Sequence, residues 1–424
     1  MLCNKNDCIG CAACFVVCKE NAITLIRDDE HFLYPVIDNN YCRKCKKCSS
    51  VCPILKKDYK NTFKKIVYAA YSNDLTVRLQ SSSGGIFSEF AEYVLAQKGV
   101  VFGAVFSSDY RKVFHTFVET QADLQKLRGS KYVQSEIGET YTLCRDFLKQ
   151  GRCVLFSGTP CQIAGLNAFL SSDDSVDLTR LLTIDLVCHG VPSPLIFKSY
   201  IEYLEKKMNG KIEGYAFRDK HWSWQRYNTK AYLCVVSSDG KDSTHGVEYL
   251  GKWEQDVFMR GFLREYFLRK CCHNCKFANL NRCSDITLAD FWGYKSRKEL
   301  PDDDKGISMV MLNTEKAKFF FEKIKQCISF LQTPISEAVN GNRALSSCFP
   351  VSPYREQFWN GFKQFGFEGI IEKYLYPEKA DMYWQLIYKY GRNSLNFRSY
   401  SFYRKCRSFA GRCFRFARNK VMNK

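Results

Sequence analysis

Eight cysteines between Cys8 and Cys52 decide how the first part of this 424-residue chain can fold. Cys8, Cys11, Cys14 and Cys18 form one run, and Cys42, Cys45, Cys48 and Cys52 form a second, with Pro53 directly after it. Both runs have the spacing C-x2-C-x2-C-x3-C. Three thiolates two residues apart line the inside of a tight loop and can grip three irons of one cube, while the fourth iron needs a ligand from elsewhere. Zinc sites more commonly show two separated C-x2-C pairs. A segment this short builds little core of its own, so ligation is what holds it folded.

The double run resembles the two-cluster bacterial ferredoxins, in which the fourth cysteine of each run serves the other cluster. The resemblance implies that Cys8, Cys11, Cys14 and Cys52 hold one 4Fe–4S cluster and that Cys42, Cys45, Cys48 and Cys18 hold a second. Lys19 stands where that pattern has a proline after Cys18. It alters the turn and removes no ligand.

The remaining cysteines, of 22 in all, argue for further metal ligation over disulfides. Cys8 as a ligand leaves no room for a cleaved leader, and no apolar run is long enough to span a bilayer, so the expectation is a reducing cytoplasm. The formal charge of +19 counts every cysteine as neutral. Two or three clusters of about −2 each bring it to roughly +13 to +15. A basic surface suits an acidic partner, a phosphorylated substrate or an anionic membrane. No nucleic-acid-binding signature accompanies the charge, so nucleic acid is set aside.

Past a polar linker at Lys56–Asn61, Val67–Tyr71 reads as a strand. Ser81–Gly85 is a glycine-serine turn opening a helix through about Gln97, striped by Ile86, Phe90, Tyr93 and Val94. Such a turn at a helix N-terminus is a candidate phosphate cradle, and equally an ordinary loop. Cys153–Phe156 and Leu181–Val187 are apolar strands, each followed by a capped helix: Thr159-Pro160 before one, Ser193-Pro194 before the other. Two such units predict a parallel sheet, with a site beyond its strand tips, where Cys161, Cys188 and His189 fall. Cys272, Cys275 and Cys283 then make a three-cysteine metal signal lacking one ligand. Cys161, Cys188 and Cys271 are the candidates, Cys161 favoured because its helix N-terminus would stabilise a thiolate. A structural zinc using His273 is the competing reading. Thr314–Phe330 is expected as one amphipathic helix, and Arg355–Leu375 as an aromatic-rich helix. The last 33 residues, Arg392–Lys424, contain no acidic residue and set a stripe of Phe402, Cys406, Phe409, Cys413 and Phe416 against five arginines. That pattern suits an interfacial helix on anionic lipid.

In combination, Ser81–Gly85, Gly129–Ser135, Gly158–Gln162, Cys188–Gly190, Phe217–Lys220 and the Cys272–Gly293 block resemble the beta-subunit family of deazaflavin (coenzyme F-420) hydrogenases and dehydrogenases. The resemblance covers most of residues 1–295. It implies an α/β fold, α+β overall. A two-cluster module at 1–57 precedes a mixed, partly parallel flavin-binding body. That body divides into a flavin-phosphate region at 65–140 and a catalytic region at 141–300 with a third 4Fe–4S cluster. A helical extension at 301–390 and a basic tail at 391–424 follow. It also implies FAD at the turn, with Ser83, Gly84, Gly85, Lys131, Tyr132 and Thr159 as cofactor-binding residues. Cys272, Cys275, Cys283 and Cys161 would hold the third cluster. A deazaflavin ligand fits the family but is not required by this sequence. The ferredoxin fusion and basic tail look most similar to members found among the enzymes of bacterial surface-polysaccharide synthesis.

The expected activity is an iron–sulfur flavoprotein oxidoreductase. An acidic donor such as ferredoxin or flavodoxin is steered by Arg43, Lys44, Lys46 and Lys47, and a small molecule accepts the electrons. His189 and Asp185 are the candidate proton donors. Two other readings compete: an electron-transfer subunit feeding a partner enzyme, and a zinc protein tethering other enzymes at the membrane surface.

Overall fold

Apolar runs that read as buried strands pair side by side. In the ferredoxin-like module β1 (Ile23–Arg27) and β2 (Leu33–Ile37) form an antiparallel hairpin. Next come β3 (Ile66–Ser72), β4 (Val100–Phe106), β5 (Val113–Val118), β6 (Val154–Gly158) and β7 (Leu181–Leu186). A separate antiparallel sheet holds β8 (Lys211–Asp219), β9 (Asn228–Val235) and β10 (His245–Lys252). The series ends with β11 (Ile286–Asp290), β12 (Ser308–Leu312) and β13 (Ile328–Thr333). The main sheet runs β13-β3-β12-β11-β7-β6-β4-β5. Its centre, β11-β7-β6-β4, is parallel, and every other pairing is antiparallel. The mixed α/β class is therefore as expected, and the two capped β-turn-α units are neighbours.

The computed structural model describes residues 2–56, 61–235 and 245–375. Met1–Ile370 form one compact unit. A second, Ile371–Lys424, is described only over the helical turn Ile371–Leu375. The basic stripe at Arg392–Lys424 lies outside the described residues.

Central strands are buried on both faces, which is why Val154-Leu155-Phe156 and Leu181–Ile184 show no polar alternation. One face is covered by the helices Ile86–Ala96 and Glu315–Ile324, through Phe90, Val94, Phe320 and Phe321. The other packs Phe102, Phe156 and Leu166 against Tyr141 and against Ile9, Cys11, Ala13 and Val51 of the module. The cysteine loops thus share a core with the sheet.

One expectation fails. The described part of the expected helical extension, residues 301–375, is not helical throughout: β12 and β13 flank β3 in the main sheet. The helix expected over Thr314–Phe330 ends at Ile324, and the chain turns into β13. Ile328 and Thr333 are buried at the strand's ends while the residues between them alternate outward, so tertiary pairing with β3 overrides a helical apolar pattern.

Gly84 shows how tightly the turn after β3 is seated. A Cβ there would stand 2.5 Å from Ala70 O and 2.8 Å from Ser308 N, both backbone atoms. Gly84→Ala is expected to cost about 1–3 kcal/mol, visible as a lower thermal midpoint of the anaerobic protein. An unchanged midpoint would mean that the turn yields freely.

Candidate metal centre and cofactor cradle

The two cysteine loops have matching backbones. Gly10 and Lys44 have φ of 67° and 53°, and Ala12 and Lys46 have φ of 61° and 62°. Each loop then enters a one-turn helix, Ala13–Val16 or Lys47–Ser50. Left-handed positions at this spacing turn backbone N–H groups inward and make an anion-holding concavity. Three of the four positions lack glycine, so the loops store strain of about 1–3 kcal/mol per such residue. The N–H groups of Gly10, Ala13 and Phe15 point at the sulfurs of Cys8, Cys11 and Cys14.

Cys52 joins those three. Cys11 and Cys14 both lie within electrostatic reach of Cys8 and Cys52, and all four line a cavity of about 440 Å³. Burial pushes the Cys11 thiol well up and that of Cys14 up to about 12. A fifth thiol, Cys3, hydrogen-bonds to Cys8 and Cys52 and lowers each to about 6. In the second set Cys18, Cys42 and Cys48 are half-buried and Cys45 is exposed. Arg43, Lys44, Lys46 and Lys47 are exposed around it, Arg43 pairing with Glu20 at 3.0 Å.

The body cysteines gather at the tips of β6 and β7. Pro160 opens the helix Pro160–Leu170, and Gln162 Oε1 accepts from the Thr159 N–H at 2.9 Å. Cys161 stands in that first turn with Thr159 Oγ1 3.2 Å from its sulfur. It feels Cys275 and Cys271, while Cys188 feels Cys161 and Cys275. Cys283 reaches Pro160 O at 3.5 Å, Cys272 accepts from Val191 N–H at 3.5 Å, and the Cys271 and Cys272 thiols share a hydrogen bond. Cys161, Cys272, Cys275 and Cys283 therefore share one neighbourhood, with Cys188 and Cys271 also in it. Among the described residues no three His, Cys, Asp or Glu side chains form a group that could hold a metal ion as they stand. A cubane spreads its thiolates more widely than a single ion does, and the all-sulfur donor sets suit iron–sulfur chemistry.

His189 stacks on Phe349 at 3.7 Å and against Phe262 at 4.9 Å, with Nε2 3.2 Å from Glu265 Oε1. Asp185 faces no open space. Its carboxylate is sealed against Arg282, with Nε to Oδ2 at 3.1 Å and Nη2 to Oδ1 at 2.8 Å. That geometry makes Asp185 an anchor for Arg282 and leaves the partly exposed His189 as the remaining candidate.

At the glycine-serine turn, Ser83 Oγ donates to Ile307 O and Gly84 N–H to Ser308 Oγ, so both face inward. Gly85, at φ 90°, caps the helix Ile86–Ala96 without a side-chain bond. Two half-buried ammonium groups flank the turn. Lys131 donates to the carbonyls of Leu127, Arg128 and Gly129, and Lys220 to those of Arg78, Ser83 and Lys305. Desolvation lowers both to about 7. Arg218 pairs with Asp290 at 3.0 Å while its buried Nε has no partner. Lysines hydrogen-bonded to carbonyls, beside an orphaned guanidinium nitrogen and an uncapped helix start, suit an anionic group such as a diphosphate. Tyr132 stacks on Phe262 at 5.0 Å and tilts against Phe217 at 5.2 Å, so an aromatic wall runs from this cradle to His189. Thr159 lies instead beside Cys161.

Residues 151–337 match the family model for the C terminus of the coenzyme F420 hydrogenase/dehydrogenase beta subunit, and residues 67–140 match its N-terminal counterpart. The chain belongs to this beta-subunit family. Residues 2–58 of this family member match a 4Fe–4S dicluster domain, which makes it an iron–sulfur redox protein. An uncharacterized ferredoxin of Methanocaldococcus jannaschii is 36% identical over 50 residues, 12% of this chain, and the match spans 64% of that ferredoxin. The F420-reducing NiFe hydrogenase complex from Methanosarcina barkeri contains a chain that is similar at a TM-score of 0.41 and 16% identity, over 75% of this chain and 94% of that one. Among the described residues no helix of this beta-subunit relative is long and apolar enough to cross a membrane.

Three residues at these sites escape sequence reasoning. Cys3 falls outside the C-x2-C rhythm. Lys220 sits in the Phe217–Lys220 motif, whose fourth residue could have drawn attention. Arg269 precedes the Cys271–Cys275 block and reads there as one more basic residue.

Proposed function

We propose that this protein takes single electrons from an acidic ferredoxin or flavodoxin at the exposed Cys42–Cys48 loop and delivers them in pairs, at an FAD-binding cradle, to a small-molecule acceptor. Continuity carries this reading: Cys48 is within electrostatic reach of Cys14, Cys11 of Cys161, and Cys8 of Cys271. When bound, the clusters carry one electron at a time and the flavin supplies two-electron hydride chemistry. Arg43, Lys44, Lys46 and Lys47 steer the donor. The cysteine sets hold the metal, with Cys161, Cys272, Cys275 and Cys283 as the innermost. Lys131 and Lys220, with Gly85 at the helix start, hold the anionic part of the cofactor. His189, stacked on Phe349 and 3.2 Å from Glu265 through Nε2, is the residue proposed to pass a proton to the acceptor. The cytoplasm, at the inner face of the membrane, is the proposed setting, and surface-polysaccharide synthesis the proposed context. The setting is read from the cysteine usage and the basic tail, and the context from the resemblance.

Reduction of the anaerobic holoprotein by ferredoxin, followed by substrate-dependent reoxidation with sugar nucleotides or deazaflavin, tests the reading. Reduction without reoxidation by any acceptor, except through a partner enzyme, would make the chain a relay. The cradle makes a separate prediction. Lys131 and Lys220 sit near 7 when folded and near 10.5 when unfolded. Between those values the unfolded chain binds more protons, so the flavin-free protein should gain stability as pH rises from about 7 to about 10. A bound diphosphate needs both lysines charged, so flavin affinity should fall over the same window. Lys131→Met and Lys220→Met should each weaken FAD by about 10- to 100-fold, read by fluorescence titration. FAD affinity independent of pH from 6 to 9 would remove the lysines from the site.

A further inference from the structure

Arg269 is wholly buried, yet among the described residues no carboxylate lies within ion-pair reach of it. Its fork is committed elsewhere. Nε donates to Cys8 O at 2.8 Å, Nη1 to Gln134 Oε1 at 2.8 Å and Nη2 to Leu33 O at 3.0 Å. Its guanidinium lies 4.1 Å from the Tyr34 ring centroid and 5.4 Å from that of Phe32. Gly10 makes this approach possible: a Cβ there would stand 2.8 Å from Arg269 Nη1. The backbone carbonyl of Arg269 accepts from Cys272 N–H at 2.9 Å, so the same residue is hinged to the body cysteines.

A buried cation without a counter-ion is costly, and fold alone does not call for one here. The anions near it are sulfurs. Desolvation pushes against the charged guanidinium, and Tyr34, Cys8, Cys271 and Cys272 favour it. Cys8 belongs to the first ligand set and Cys272 to the third. We propose that Arg269 is the shared counter-ion of those two clusters and raises the reduction potential of both, a role that rests on the cysteine assignments above. Each reduction adds one electron to a cluster already negative. A fixed cation in a medium of low dielectric stabilises the reduced form, and net charge and hydrogen bonding are the levers by which proteins set such potentials. Placed between two clusters, one cation also lessens the repulsion when both are reduced, keeping the second electron from being refused.

The test is a potentiometric titration of the full-length, anaerobically prepared protein, followed by electron paramagnetic resonance. Iron is counted first, so that loss of a cluster is told apart from a change in its potential. Arg269→Gln should lower the equilibrium constant for reducing the Cys8–Cys52 and Cys272 clusters at least tenfold each, about 59 mV per tenfold for one electron. Arg269→Lys should restore part of the shift. The Cys42–Cys48 cluster serves as the internal reference and should not move. Gly10→Ala keeps the charge and displaces the fork, and should shift the same two clusters in the same direction. If Arg269→Gln fails to hold iron, the potential of the Cys272 cluster in Gly10→Ala decides, since Gly10 itself donates to the Cys8 sulfur. Unmoved potentials in the iron-retaining variants, or an equal shift of all three clusters, would overturn the assignment.

Discussion

Cys52→Ala should lose about four of roughly twelve irons and stop ferredoxin from reducing the body of the protein, while the exposed cluster survives. The reason is the crossover. Cys52 lies beyond the second run in sequence but stands with Cys8, Cys11 and Cys14 in space. Cys18→Ala should do the reverse, losing the exposed cluster and leaving the buried one. Iron analysis with electron paramagnetic resonance distinguishes the two outcomes. If Cys52→Ala removed the exposed cluster instead, each run would be serving itself. Cys3 touches both Cys8 and Cys52 and is placed to substitute for either. The double variant Cys3→Ser with Cys52→Ala removes that escape and should show the full loss.

Asp185→Ala is expected to be the most destabilising change away from the module. Asp185 and Arg282 are both sealed from water, with side-chain exposures of 0% and 1%. Breaking a buried pair by removing one partner leaves a charge stranded, at about 3–5 kcal/mol. Arg282 also donates to Phe277 O at 3.1 Å and Leu186 O at 3.0 Å, and Cys283 follows it directly. The variant should therefore lower the thermal midpoint steeply and loosen the third cluster. Asp185→Asn, which keeps shape and some hydrogen bonding, should lose less. A midpoint within about a degree of the parent, with three clusters retained, would show that Arg282 finds another partner; surface substitutions behave that way, buried pairs do not.

What was legible in the chain followed from local rules. Cap residues Thr159-Pro160 and Ser193-Pro194 marked two helix starts, and unbroken apolar runs marked β6 and β7. The C-x2-C rhythm marked the ligand runs because a tight loop leaves few other spacings. Contacts made across long separations were not legible. Ile328–Thr333 carries the same apolar residues whether it pairs with β3 or continues a helix. Ser83 and Gly84 read equally as a phosphate cradle or an ordinary loop, because the Ile307 and Ser308 that hold them lie 224 residues on. Arg269 meets Cys8, 261 positions earlier, and no periodicity encodes that meeting. Asp185 reads as a candidate proton donor because its partner Arg282 lies 97 residues away.

The place of β3 between β12 and β13 sets a timetable for synthesis. β3 leaves the ribosome early, but the strands that flank it end only at Leu312 and Thr333. The main sheet stays open for more than half the length of translation, while the cysteine loops at Cys8–Cys52 are already outside the tunnel. Cluster assembly machinery can reach those loops before Leu166 and Arg269 close over them. A cell short of iron at that moment would close the Cys8–Cys14 loop onto the sheet around empty thiols, and loading that set later would require the loop to lift off again.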